Sequence, residues 1–172
     1  NPFEDFASIF SMSLHSPSMH LIYDWLTGAP NTSLSTPANI PQGHWILSGY
    51  GRFGQQLHKE LKKKNIRTVI IDPREETWLT FSREQHSDDS FIVGTGTDAK
   101  TLTEAGIDTA AGIIAGTNND SNNLSIIMTA RQLNKQVFVV GRENFEKNKL
   151  LYKKVNEHYH QEIHKDAEEI SS

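Results

Sequence analysis

The residues of this 172-residue chain best suited to chemistry are Gly49-Tyr50-Gly51-Arg52-Phe53-Gly54, a G-x-G-x-x-G spacing directly after the apolar run Trp45-Ile46-Leu47. Each glycine meets a separate steric demand where a strand turns into a helix over a bound pyrophosphate. Gly49 permits the tight turn, Gly51 lets the backbone approach the phosphates, and Gly54 lets the helix pack close to the sheet. Unpaired N–H groups at the helix start then face the anion. Arg52, inside the turn and at the start of that helix, is an electrostatically poor cation position unless an anionic ligand lies beside it.

Three further clusters belong with this turn. The run Thr68-Val69-Ile70-Ile71 ends on Asp72, where a carboxylate can accept hydrogen bonds from a ribose diol; its alternative role is to start a turn ahead of Pro73. Arg74 stands two residues on, able to pair with a 2′-phosphate or stack on adenine. Asp72 repels a 2′-phosphate, so NAD or an adenine nucleotide is expected rather than NADP. Gly94-Thr95-Gly96-Thr97-Asp98 falls where the adenine end would lie, with helix capping by Thr97 or Asp98 as the alternative role. Gly116-Thr117-Asn118-Asn119-Asp120 faces the glycine turn across the expected switch point, and N-capping by Asn119 or Asp120 is favoured there over direct ligand contact. His158, His160 and His164 lack partners that would complete a metal site and read as a solvated polar helix, so no metal is expected.

These residues need a framework. Phe53, Leu57 and Leu61 recur at a spacing of four before Lys62, Lys63 and Lys64, which predicts an amphipathic helix after the turn. Strands are predicted at about 44–48, 67–72, 90–94, 111–115 and 136–141, with helices between. Runs such as Gly112-Ile113-Ile114-Ala115 and Val137-Phe138-Val139-Val140 are apolar on both faces, as in parallel strands covered by helices on each side. Right-handed crossovers then give an α/β, Rossmann-like, doubly wound sheet of order 3-2-1-4-5, with a sixth strand possible.

The expected organisation is a short helical extension over 1–28, with Phe3, Phe6 and Phe10 on one helix face, then a Pro-, Ser- and Thr-rich linker over 29–43. A nucleotide-binding domain follows over 44–155 and a polar C-terminal segment over 156–172. Absence of cysteine excludes a disulfide scaffold and thiolate chemistry. A net charge of -4 gives no indication of nucleic-acid binding. No apolar run reaches the length of a membrane span. A start at Asn1 suggests a segment of a longer polypeptide.

The motif series from 44 to about 155 resembles the RCK (regulator of K+ conductance) N-lobe, or TrkA-N domain, of potassium channels and of Trk-, Ktr- and Kef-type transport proteins. Ile46 to Gln55 resembles its glycine motif, including the arginine. Thr68 to Asp72 is similar to its second strand and acidic residue, and Asp98 to Ile107 resembles its D-x-x-x-L-x-x-A-G-I segment. Ala115 to Leu124 and Val137 to Arg142 resemble its last blocks. The resemblance implies a regulatory domain that binds NAD(H), or AMP, ADP or ATP, and gates ion flux through a membrane-embedded potassium channel or transporter, expected on the same polypeptide. It would be a homodimer or higher assembly, cytoplasmic and tethered to the inner membrane. Gly49, Gly51, Arg52 and Gly54 would hold phosphates, Asp72 the ribose, and Asp98 or its neighbours the adenine; Arg142 matches an arginine often found after the fifth strand. The family usually has an Asp where this chain has Thr95.

Two other functions are compatible with the glycine motif. An NAD-dependent oxidoreductase needs a general acid or base at the hydride and a substrate domain, for which too few residues follow the fifth strand. A domain that keeps only a dimerisation role would bind no nucleotide. No enzymatic activity is expected.

Overall fold

A computed structural model of the protein describes residues 9–11, 43–84, 88–148, 150–155 and 157–158. Its elements in chain order are β1 (Ile9–Ser11), β2 (Trp45–Ser48), α1 (Arg52–Lys63), β3 (Thr68–Asp72), α2 (Glu75–Ser82), β4 (Ser90–Val93), α3 (Ala99–Glu104), β5 (Gly112–Ala115), α4 (Asp120–Leu133) and β6 (Phe138–Arg142). A short 3-10 turn over Glu146–Asn148 and helical backbone over 150–155 follow.

The strands form one six-stranded sheet in the order β1-β6-β5-β2-β3-β4. The pairings among β2 to β6 are parallel, which gives the expected 3-2-1-4-5 order. The sixth strand comes from the N-terminus: β1 runs antiparallel to β6, with Phe10 opposite Gly141. This corrects the helical reading of that stretch. A spacing of phenylalanines at three and four residues is helical only if the backbone pairs with itself, and here residues 9–11 pair instead with an open sheet edge. The other residues of 1–28, residues 29–42 of the linker and most of 156–172 lie outside the described residues.

Burial explains the apolar runs. β2, β3 and β5 are buried at every position, whereas β4, an edge strand, has exposed ends. Neighbouring side chains point to opposite layers, as the pleat requires. Trp45, Leu47, Ile70 and Ile114 pack with Phe53, Leu57 and Leu61 of α1. Ile46, Val69, Ile71 and Ile113 pack with Leu102 of α3 and with Ile126, Ile127 and Ala130 of α4. The helices that flank β2 and β5 thus lie on opposite faces, and the chain ends of these two strands part at the crest of the sheet.

α1 carries its apolar residues on one face and its lysines at the C-terminal end. It stops at Asn65, whose φ of 57° takes the left-handed conformation open to asparagine. The amides of Asn65 and Ile66 donate to the carbonyls of Lys62 and Leu61, closing the helix end.

Candidate functional site

The glycine turn is shaped by contacts that a side chain would break. Gly49 has φ +106°, and a Cβ there would stand 2.9 Å from the Gly116 carbonyl oxygen; a Cβ on Gly54 would collide with the Gly49 carbonyl. Gly51 differs. Its φ is -75°, it caps α1 without a side chain, and a Cβ would meet only Arg74 Nη2 at 3.6 Å. No N-cap side chain closes the first turn of α1, and that turn holds no acidic residue. Both properties favour an anion in front of it.

That turn forms one wall of a cleft of about 710 Å³ at the C-terminal ends of the strands, a size typical of small-molecule sites. Gly49, Gly51, Arg52, Phe53 and Gly54 line it from the turn, Asp72, Pro73 and Arg74 from the end of β3, Thr95 and Gly96 from beyond β4, and Gly116, Thr117 and Asn118 from beyond β5. Ser48, Ile71, Asn122 and Ile126 also line it without a signal of their own in the sequence, and Arg142 joins them from the end of β6. Ser48 and Ile71 belong to strands whose apolar character hid them as floor residues. The charged residues of the lining are Arg52, Asp72, Arg74 and Arg142, an excess of cations.

Three of the sequence candidates stand outside the lining. Tyr50 turns into the core, where its hydroxyl and His58 Nδ1 are 2.8 Å apart; His58 Nε2 lies 2.7 Å from Asp89, which also accepts from the Thr68 amide. Burial pushes the Tyr50 phenol up, with the charges of Glu84 and Asp89 adding to it. The backbone amide of Tyr50 nevertheless donates to Asp72 at 2.8 Å. Asp98 caps α3, accepting from the Thr101 amide and hydroxyl. Gly94 sits against Thr101 behind the crest.

Asp72 is 2% exposed. Its carboxylate accepts from the amides of Tyr50 and Arg74, from the Thr77 hydroxyl and, through a two-pronged contact at 3.1 Å, from the Arg74 guanidinium. Burial works to raise its pKa, but the hydrogen bonds from Arg74, Tyr50 and Thr77 outweigh burial and hold it below the ordinary aspartate value. A ribose diol approaching Asp72 must therefore displace the half-exposed Arg74 side chain.

The opposite wall is equally well tied down. Asn119 caps α4 by accepting from the Asn122 amide at 2.9 Å. Asn123 is fully buried; it accepts from Thr117 and donates to the carbonyls of Thr117 and Arg142. Asp120, 5% exposed, accepts from the amides of Asn144 and Phe145 and from the side chains of Asn144 and Asn148. Burial opposes that charge, yet the hydrogen bonds from Asn148, Asn144 and Phe145 lower its pKa. Among the described residues, no helix is long and apolar enough to cross a membrane and no His, Asp or Glu cluster is arranged to hold a metal.

The geometry has counterparts in known proteins. Residues 45–160 match the family model of the TrkA-N domain. Potassium channel protein 1 of Methanocaldococcus jannaschii is 36% identical over 99 residues, which is 58% of this chain and 29% of that protein. The chain thus spans less than a third of that relative's length. A solved RCK domain of GsuK is 30% identical, with a TM-score of 0.55 over 66% of this chain and 23% of that one. The GsuK channel bound to NAD has a TM-score of 0.59 at 20% identity, covering 81% of this chain and 25% of that one, and shares the fold.

Proposed function

The chain belongs to the TrkA-N domain family, and from that premise we propose that it is a ligand-sensing regulatory domain of a potassium channel or potassium transport protein. Its ligand is NAD(H) or an adenine nucleotide such as AMP, ADP or ATP. The observation that carries this reading is the cleft itself. Uncapped helix amides, Arg52 and the Asp72 carboxylate, which a ribose could reach in place of Arg74, converge at the switch point of a doubly wound sheet, where open α/β folds bind ligands. The similarity to a potassium channel protein and to the GsuK RCK domain supports the regulatory role, and the fold shared with an NAD-bound channel supports the choice of ligand.

The cleft offers little to a hydride-transfer enzyme. None of its lining residues is a His, Lys, Tyr, Glu or Cys, and the one carboxylate is engaged by Tyr50, Arg74 and Thr77. Binding is the function these groups suit. A ligand bridging the glycine turn and the 116–120 loop would favour one of two arrangements of a homodimer or larger assembly. The transport part, on the same polypeptide in the membrane, would respond to that preference from the cytoplasmic side.

Calorimetric titration of the nucleotide-stripped protein with NAD, NADH, AMP, ADP and ATP, repeated on Asp72→Ala, tests this reading. Saturable binding that weakens in the variant is expected. Failure of the unaltered protein to bind any of them would leave dimerisation as its role, and saturable turnover of NADH with a carbonyl compound would make it an enzyme.

A further inference from the structure

Arg142 stands at the end of β6, the strand beyond β5, and so enters the cleft from the side opposite Asp72. Its main chain is fixed: the carbonyl accepts from Asn123 Nδ2 at 2.9 Å and from the Tyr152 hydroxyl at 2.8 Å. Its guanidinium carbon lies 4.5 Å above the centre of the Phe53 ring, and Phe53 is itself buried in the first turn of α1. The Nε–H is enclosed and has no hydrogen-bond partner among the described residues. Stacking on Phe53 accounts for one face of the guanidinium and, with Nε enclosed, leaves the terminal nitrogens as the donors that can meet a group in the cleft.

The positions of the cations indicate what would satisfy them. Arg74 lies on the β3 side, where a ribose at Asp72 would displace it from that carboxylate, Arg52 lies at the head of α1, and Arg142 reaches back from β6, two strand spacings or about 10 Å from the end of β2. One phosphate group in front of α1 would use the helix amides and Arg52. A ligand whose ribose lies at Asp72 carries any second phosphate away from β3, toward β5 and β6. On the nucleotide reading given above, we propose that Arg142 is the anchor for that second phosphate and makes the site selective for diphosphate-bearing ligands, ADP or a dinucleotide, over AMP. Its planar donors match a phosphate edge, and the Phe53 ring holds them in the required plane.

The test is calorimetric titration of the whole chain with AMP, ADP and NAD, on the unaltered protein, Arg142→Gln and Arg142→Lys, each with a thermal melt. The unaltered protein should bind ADP and NAD about tenfold more tightly than AMP. Arg142→Gln should lower ADP and NAD affinity by about tenfold or more while changing AMP affinity little, so that the preference collapses. Arg142→Lys, which keeps the charge but not the flat donor set, should fall between. Equal losses for AMP and ADP, or an unchanged preference in both variants, would overturn the assignment and leave Arg142 as a packing residue on Phe53. Absence of binding by the unaltered protein would overturn the nucleotide reading itself, together with this assignment.

Discussion

The three glycines of the turn should separate into two that build the fold and one that serves the ligand, and alanine at each position shows which is which. At position 54 the new Cβ collides with the Gly49 carbonyl, main chain against main chain, which cannot be relieved by a rotamer change. Overpacking of this kind costs about 3 kcal/mol. At position 49 a positive φ costs an L-residue roughly 1–2 kcal/mol, and the approach to the Gly116 oxygen adds to it. Position 51 is free of both effects. Its φ is -75°, a Cβ there meets only Arg74 Nη2 at an ordinary 3.6 Å, and the entropy lost from the unfolded chain, worth about 0.4–1 kcal/mol in favour of alanine, is offset by alanine's weakness as an N-cap. Gly54→Ala should lower the melting temperature by about 10 °C, and Gly51→Ala should leave it nearly unchanged. A Cβ at 51 stands in the cleft, however, so Gly51→Ala should weaken nucleotide binding by about tenfold and Gly51→Val by about a hundredfold. Paired melting curves and calorimetric titrations decide the matter. A Gly51→Val protein that melts normally and binds normally would show that no phosphate approaches this backbone, and one that fails to fold would make Gly51 structural.

Asp72→Ala should weaken nucleotide binding by about 1–3 kcal/mol, read by the same titration, because hydroxyl-to-carboxylate bonds are lost; unchanged affinity would remove Asp72 from the site. Asp120→Ala should destabilise the protein by about 3 kcal/mol in urea denaturation, since the Asn144 and Phe145 amides lose their acceptor, and their hydrogen exchange should accelerate first. Both aspartates have folded-state pKa values below the ordinary 3.8. Their stabilisation is therefore complete above the unfolded value and is lost as pH falls through the lower folded values, so an acid titration of stability should show a steep limb below about pH 4 that flattens in Asp120→Ala.

Much of the architecture was legible because β2, β3 and β5 are buried on both faces, which turns burial into uninterrupted apolar sequence. The glycine turn was legible because steric demands at Gly49 and Gly54 leave a local signature. β1 was not, since three residues of strand carry no periodicity and their order depends on the free edge of β6. The tertiary uses of polar residues were also hidden. Nothing in the neighbourhood of Tyr50 announces that its hydroxyl meets His58 and, through it, Asp89, and Asp98 as a cap reads the same in sequence as Asp98 as a ligand. Nor does the sequence reveal that Arg74 folds back on Asp72, because a contact between residues two apart depends on how the turn after β3 is held.

The carboxylate of Asp120 has a mechanical consequence. One side chain at the head of α4 grips both Asn144 and Phe145 backbone amides and Asn148, while Asn144 also holds the Thr117 carbonyl in the cleft wall. The wall of the cleft and the stretch of chain leaving β6 are thus clamped into a single stiff piece. A displacement of the 117–120 loop that keeps these bonds must carry Asn144, Phe145 and Asn148 with it, and Phe145 presents exposed apolar surface there. One buried aspartate is thus the shared joint between the crest of the sheet and the chain beyond β6, and losing it would separate the two.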